Sequence, residues 1–164
     1  MQKARLALLG LKKIWSSKII KERTNIKIFN SNVKAVLFYG AETWRTNKTT
    51  LQKLDLQSFS NRCVRRIIST HWSEIISNTD LWERAQQQPV EEEIGRRKWR
   101  WIGHTLRKPK QCVTRHSLVW NPQGRRVRRR PRMTWRRETE VEMASAEKTW
   151  KELEKIAQYI WWSG

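Results

Sequence analysis

Between Ile94 and Arg137 the chain carries sixteen Lys and Arg in 44 residues and not one Asp or Glu. The whole chain has a formal net charge of +20, so this run holds most of it. The rest is nearly balanced. Cations at that density without counter-charge repel one another, so the run is more than an ordinary solvated face and implies a polyanionic partner. Trp99, Trp101, His104, Trp120 and Trp135 stand among these cations. Flat rings can stack on bases while cations hold phosphates, which makes RNA or DNA the leading partner.

With 164 residues the chain can form one domain or two small helical subdomains. Hydrophobic residues are only 38% and charged residues 30%, while Trp reaches eleven. A modest core built on tryptophan is expected, because an indole buries a large apolar area and needs only one partner for its N–H. Cys63 and Cys112 show no disulfide or zinc-ribbon spacing, which suits reduced thiols in an intracellular, nuclear or cytoplasmic protein. No window approaches a membrane-spanning length of apolar residues, and no secretory leader is expected. Part of the basic run lies in a Pro/Gly-bounded segment and not on an amphipathic helix face, so a membrane partner is not expected either.

The periodicity predicts a mainly α fold, a bundle of about five to seven helices with a long basic Pro/Gly-containing loop. Ala4, Leu8, Leu11 and Trp15 mark an opening helix that ends near Ser16 and Ser17. A second is expected over 24–39, with Thr24 as N-cap, Ile28, Phe29, Val33, Val36 and Leu37 inward, and Gly40 as its stop. The longest is expected over 48–69, with Leu51, Leu54, Phe59, Cys63 and Ile67 on its apolar stripe and Arg62, Arg65 and Arg66 beside it. Ser77 reads as the N-cap of a short helix through Leu81, Trp82 and Ala85, closed by the glutamines at 86–88 and Pro89. Glu91, Glu92 and Glu93 then open a helix whose sign reverses at Arg96, in keeping with the helix dipole. Pro109, Pro122, Gly124 and Pro131 punctuate a basic flexible loop over 109–133, with one short extended piece at 113–120. The last helices are expected from Thr134, with Thr149 and Glu152 as a capping box. The expected divisions are 1–70, 71–108, 109–133 and 134–164.

Three stretches carry a family likeness: VLFYGAETW from Val36 to Trp44, WERAQQQPVEEEIGRRKWRWIGHTLRKP from Trp82 to Pro109, and WNPQGRRVRRRP from Trp120. Together they resemble the C-terminal region of LINE-like, non-LTR retrotransposon reverse transcriptases, from about Ile14 to Ala157. The resemblance implies thumb-like helices that follow a polymerase palm, then a basic region that holds template RNA or target DNA. Two positions depart from the family pattern. Arg129 stands where the family usually has the glycine of a Gly-Arg-Pro core, and a side chain there hinders deep groove entry. Gly95 stands where the family usually has a long basic residue.

Polymerase chemistry needs two metal ions held by palm carboxylates, including adjacent aspartates. The chain has only Asp55 and Asp80, far apart in sequence. No catalysis is expected of it alone, and no cofactor. Cys63, His71, His104 and Cys112 would suit tetrahedral zinc in number, but seven residues separate each Cys from its His, outside the usual two to five. The expectation is a core Cys63 and no metal. A Cys–His nucleophile fares no better, since no orienting third group can be named.

The expected nucleic-acid contacts are Arg96, Arg97, Lys98 and Arg100 on one helix, then Arg107, Lys108 and Lys110, a clamp of Arg125, Arg126, Arg128, Arg129, Arg130 and Arg132, and Arg136 and Arg137. Trp99, Trp101, Trp120 and Trp135 are the stacking candidates. Two alternatives stand beside this one. The segment could act only as the thumb and tail of a degenerate transposon copy, packing on a missing palm through exposed apolar surface. Alternatively, residues 125–132 could be a basic nuclear-localisation signal.

Overall fold

The computed structural model describes residues 2–17, 19–44, 56–68, 76–119 and 134–162. The protein is mainly helical, as the periodicity predicts, and every regular element among the described residues is a helix. Two compact units divide the chain, residues 1–41 with 46–95, and residues 42–45 with 96–164.

In the first unit α1 (Gln2–Gly10) and α2 (Lys12–Trp15) replace the single opening helix. At the break, the Trp15 indole Nε1 donates to the Leu8 carbonyl at 2.8 Å and satisfies an acceptor near the end of α1. The ring itself is buried. α3 (Glu22–Ile28) begins two residues before the expected start, with Lys21 extended at the cap, so Thr24 lies inside the helix. The helix then widens into a π-helical stretch, Phe29–Lys34, and returns to α geometry as α4 (Ala35–Leu37).

The sequence supplies a local cause for that widening. Ser31 Oγ and Asn32 Nδ2 both donate to the Ile28 carbonyl, at 3.2 and 3.0 Å, and compete with the backbone for it. Bonding of the i→i+5 type admits one extra residue per turn, which rotates everything downstream by about 100° relative to an α-helical register. Phe29, Val33 and Leu37 are buried as expected. Val36, expected inward, is 41% exposed. Lys34 is buried instead, its Nζ 3.0 Å from Gln87 Oε1 and 3.7 Å from the buried Glu93 carboxylate. Gly40, at φ +70°, stops the run in the left-handed region that favours glycine.

α1 packs on the π-helical stretch and on α4, and α3 packs on α5 (Leu56–Ile67). Within α5, Phe59, Cys63 and Ile67 are buried on the stripe read from sequence, and Arg62 and Arg66 are exposed. Leu51, Leu54 and Asp55 lie outside the described residues. α5 also packs on α6 (Asn78–Ala85), which Ser77 caps by accepting from the Asp80 N–H at 3.1 Å. Gln86, at φ 50°, ends α6.

The longest described helix is α7 (Val90–Leu106), while the helix expected over 48–69 is described only from residue 56. It supplies residues 90–95 to the first unit and 96–106 to the second. Part of the expected basic loop is also a helix. Residues expected to be extended form α8 (Val113–Val119), with Arg115 and His116 N–H groups donating to the Cys112 carbonyl at 2.9 Å. Leu118 explains the outcome, since from α8 it joins a buried cluster with Ile102, Leu106 and Ala157. Burial overrides the extended preference of Val113, Thr114 and Val119. Thr134 caps α9 (Trp135–Ser145) by accepting from the Arg137 N–H. The capping box precedes α10 (Trp150–Trp162), where Glu152 Oε2 accepts from the Thr149 N–H at 2.7 Å.

Gly95 sits in the interior of α7, and a Cβ there would meet nothing within 4 Å. Gly95→Ala should therefore stabilise the first unit by about 1 kcal/mol, the helix-propensity difference alone. Chemical denaturation followed by helical circular dichroism checks this, and destabilisation would show that the helix needs a glycine there.

Candidate nucleic-acid interface

Helical geometry sorts the cations of α7. At about 100° per residue, Arg96 and Arg100 fall within a narrow arc, with His104 at its edge, and Arg107 follows directly after the last helical residue. All four are exposed. Lys98 lies on the opposite side with Ile102 and Thr105, and it is fully buried.

The placement of Lys98 corrects its expected role as a phosphate contact. Its Nζ donates to both Glu142 carboxylate oxygens at 3.0 Å and lies 5.5 Å from the centre of the Trp135 ring. The first interaction is a charge-assisted pair from α7 to α9, and the second places the cation over an aromatic face. An ammonium buried this way cannot also reach a nucleic-acid backbone.

The described tryptophans of the basic run are structural partners first. Trp99, Trp101 and Trp135 are half-buried against the Ile102, Leu106, Leu118 and Ala157 cluster. Trp101 and Trp135 meet edge to face, with centres 5.9 Å apart at 84°. Trp135 Nε1 donates to the Glu42 carbonyl at 3.0 Å.

Other cations of the run are placed individually. Arg97 is half-buried, and Lys110 and Arg137 are exposed. Lys108, half-buried, donates to Thr114 Oγ1 at 3.3 Å, and Arg136 pairs with Glu140 at 2.8 Å one turn along α9. Trp120 and the six arginines of the expected clamp, Arg125, Arg126, Arg128, Arg129, Arg130 and Arg132, lie outside the described residues.

Arg115 was assigned no role by sequence. Its guanidinium donates to the Leu106 and Lys108 carbonyls at 2.8 and 2.7 Å and to Glu154 of α10. It thus ties the end of α7 to α8 and α10. Beside it lies a cavity of about 290 Å³ whose walls include Leu106, Leu118 and Trp150. Arg115 and Glu154 are 39 residues apart in the chain, so no helical spacing announces their pairing.

Among the described residues no group of three or more His, Cys, Asp or Glu is arranged to hold a metal ion. Cys63 is buried in α5 and His104 is exposed on α7, while His71 lies outside the described residues. Burial pushes the Cys63 thiol up to about 11, against the opposing pull of Arg62 and Arg66. Cys112 is held below the usual thiol value, mainly by hydrogen bonding from Thr114. Asp80 stands in the first turn of α6, and Asp55 lies outside the described residues. Glu91 and Glu92 are exposed at the start of α7 and complement its dipole. Glu93 does more than that, because it is the buried counter-ion of Lys34. No described helix is long and apolar enough to cross a membrane.

Loss of either member of the Lys98–Glu142 pair should have unequal effects. Glu142→Gln leaves a fully buried cation without its anion and should cost about 3–5 kcal/mol. Lys98→Met leaves a carboxylate that is 35% exposed and partly hydrated, and should cost less, about 1–3 kcal/mol. Thermal melts of both variants test the order, and equal losses would contradict it.

The cysteines should separate by reactivity. At pH 8 Cys112 should be alkylated at least about 100-fold faster than Cys63, since the thiolate reacts and burial both withholds it and blocks access. Mass spectrometry after brief iodoacetamide treatment reads the difference. Because the folded-state value of Cys63 is raised, its contribution to stability is full below pH 9.0 and is lost as pH rises to about 11.

A family model described as "Domain of unknown function (DUF6451)" matches residues 7–39, about a fifth of the chain, from late α1 to just past α4. No curated protein and no solved structure matches the chain at significance.

Proposed function

We propose that the protein is a nucleic-acid-binding module that grips RNA or DNA through phosphates, and that it represents the C-terminal part of a LINE-like reverse transcriptase without the catalytic palm. The observation that carries the proposal is the exposed face of α7, where Arg96, Arg100 and His104 share one side and Arg107 follows exposed at the helix end. Such a row matches the regular negative charge of a nucleic-acid backbone. Exposed Lys110 and Arg137 add to the positive charge of the same unit. The motifs from Val36, Trp82 and Trp120 support the family assignment, and the basic residues at 125–132 supply further phosphate contacts.

A second reading has its own support in the first unit. Leu6 and Leu9 of α1 are 62% and 57% exposed, and Tyr39 is 86% exposed. Apolar side chains so displayed suit packing against a polymerase palm, in which case the first unit serves assembly and the second serves binding.

Fluorescence anisotropy of a labelled duplex across a salt series tests the main proposal. Neutralisation of about five phosphates gives a log–log slope of roughly −4.5. Replacement of Arg96, Arg100 and Arg107 by Gln should make it shallower by about 2.7, while Lys98→Met should leave it unchanged. A flat slope for the parent protein would overturn the proposal.

A further inference from the structure

The cavity beside Arg115 combines two kinds of wall. Leu106 at the end of α7, Leu118 of α8 and Trp150 at the start of α10 make it largely apolar. Lys110, His116 and Lys151, all exposed, stand at its rim. Glu154 is the acid in the lining, and its carboxylate is engaged by Arg115. Positive charge therefore surrounds an apolar interior.

Size and charge together restrict what fits. A volume of about 290 Å³ lies just below the roughly 300–1,000 Å³ of ordinary small-molecule pockets, so it accepts one flat ring system rather than a bulky ligand. The rim favours an anion attached to that ring. A nucleotide has this construction, with a base for the apolar wall and a phosphate for the cations.

We propose that this cavity accepts one unpaired nucleobase of a single-stranded nucleic acid, with the base against Trp150 and the adjoining phosphates near Lys110 and Lys151. This inference deepens the nucleic-acid reading and rests on it. A paired base cannot enter without leaving its stack, which carries an energetic cost. The cavity therefore confers a preference for single strands, whereas the α7 arginines hold phosphates of either form. The Arg115 bonds to Leu106, Lys108 and Glu154 keep the surrounding helix ends in place.

The test compares a labelled single-stranded 12-mer with a duplex of equal length, using the full chain with Trp150→Ala and Trp150→Phe. Trp150→Ala should weaken single-strand binding about tenfold, the order expected when a stacked base loses its aromatic partner, and should leave duplex binding within twofold. Trp150→Phe keeps an aromatic face and should restore most of the single-strand affinity. Unchanged single-strand binding by Trp150→Ala, or equal loss for both forms in a protein of normal helicity, would overturn the inference. Should Trp150→Ala fail to fold, the parent protein decides by NMR, with the Trp150 indole signal assigned from Trp150→Phe. Adenosine monophosphate should shift that signal saturably, and inorganic phosphate at equal ionic strength should not. Absence of any shift, or the same shift with phosphate, counts against the cavity. Steep salt-dependent duplex binding together with a silent cavity would sink this inference alone, while loss of all binding by the parent would sink the broader function.

Discussion

The second unit depends on the supply of counter-charge to a segment that has none of its own. The basic run ends at Arg137, and the carboxylates that engage it follow immediately in α9 and α10. Glu142 takes Lys98, Glu140 takes Arg136 and Glu154 takes Arg115. These three pairs are unequal. The exposed Arg136–Glu140 pair, one helical turn apart, contributes a few tenths of a kcal/mol. Lys98 is fully buried, so its pair decides whether α7 can lie against α9 at all. Arg115, with two carbonyls and a carboxylate, closes the ends of three helices.

Local signals in the sequence were legible where the chemistry is local. Ser77, Thr134 and Thr149 cap helices because a hydroxyl three residues before a free N–H needs no tertiary context. Gly40 and the glutamate-to-arginine order of α7 are equally self-contained. The misses have non-local causes. Val113–Val119 is helical because Leu118 has a core to enter, and the outward turn of Val36 follows from a π-helical stretch that α periodicity does not anticipate. Neither cause is visible in a window of a few residues.

The candidate site divides in the same way. The charge density of residues 94–137 marks out one segment, but charge density carries no helical phase. Phase separates Arg96 and Arg100 from Lys98, although all three look equivalent in a list of cations. Composition leads to the expectation of a core built on tryptophan but cannot single out Trp99, Trp101 and Trp135 for it, since aromatic residues among cations are compatible both with stacking on bases and with packing under basic side chains.

The sharing of cations between interior and surface bears on how so basic a segment packs at all. If all the charge of the run faced outward, self-repulsion would oppose the packing of α7, α8 and α9 around Ile102, Leu106 and Leu118. The inward Lys98 and the bound Arg115 lessen that repulsion by carrying acidic partners with them. Their pairing also orients α7 so that its arginine face remains exposed. Lys98 and Arg100 thus lie in different surroundings two residues apart. Helical phase is therefore what divides the cations of α7 between the core, where Lys98 meets Glu142, and the surface, where Arg96 and Arg100 stand exposed.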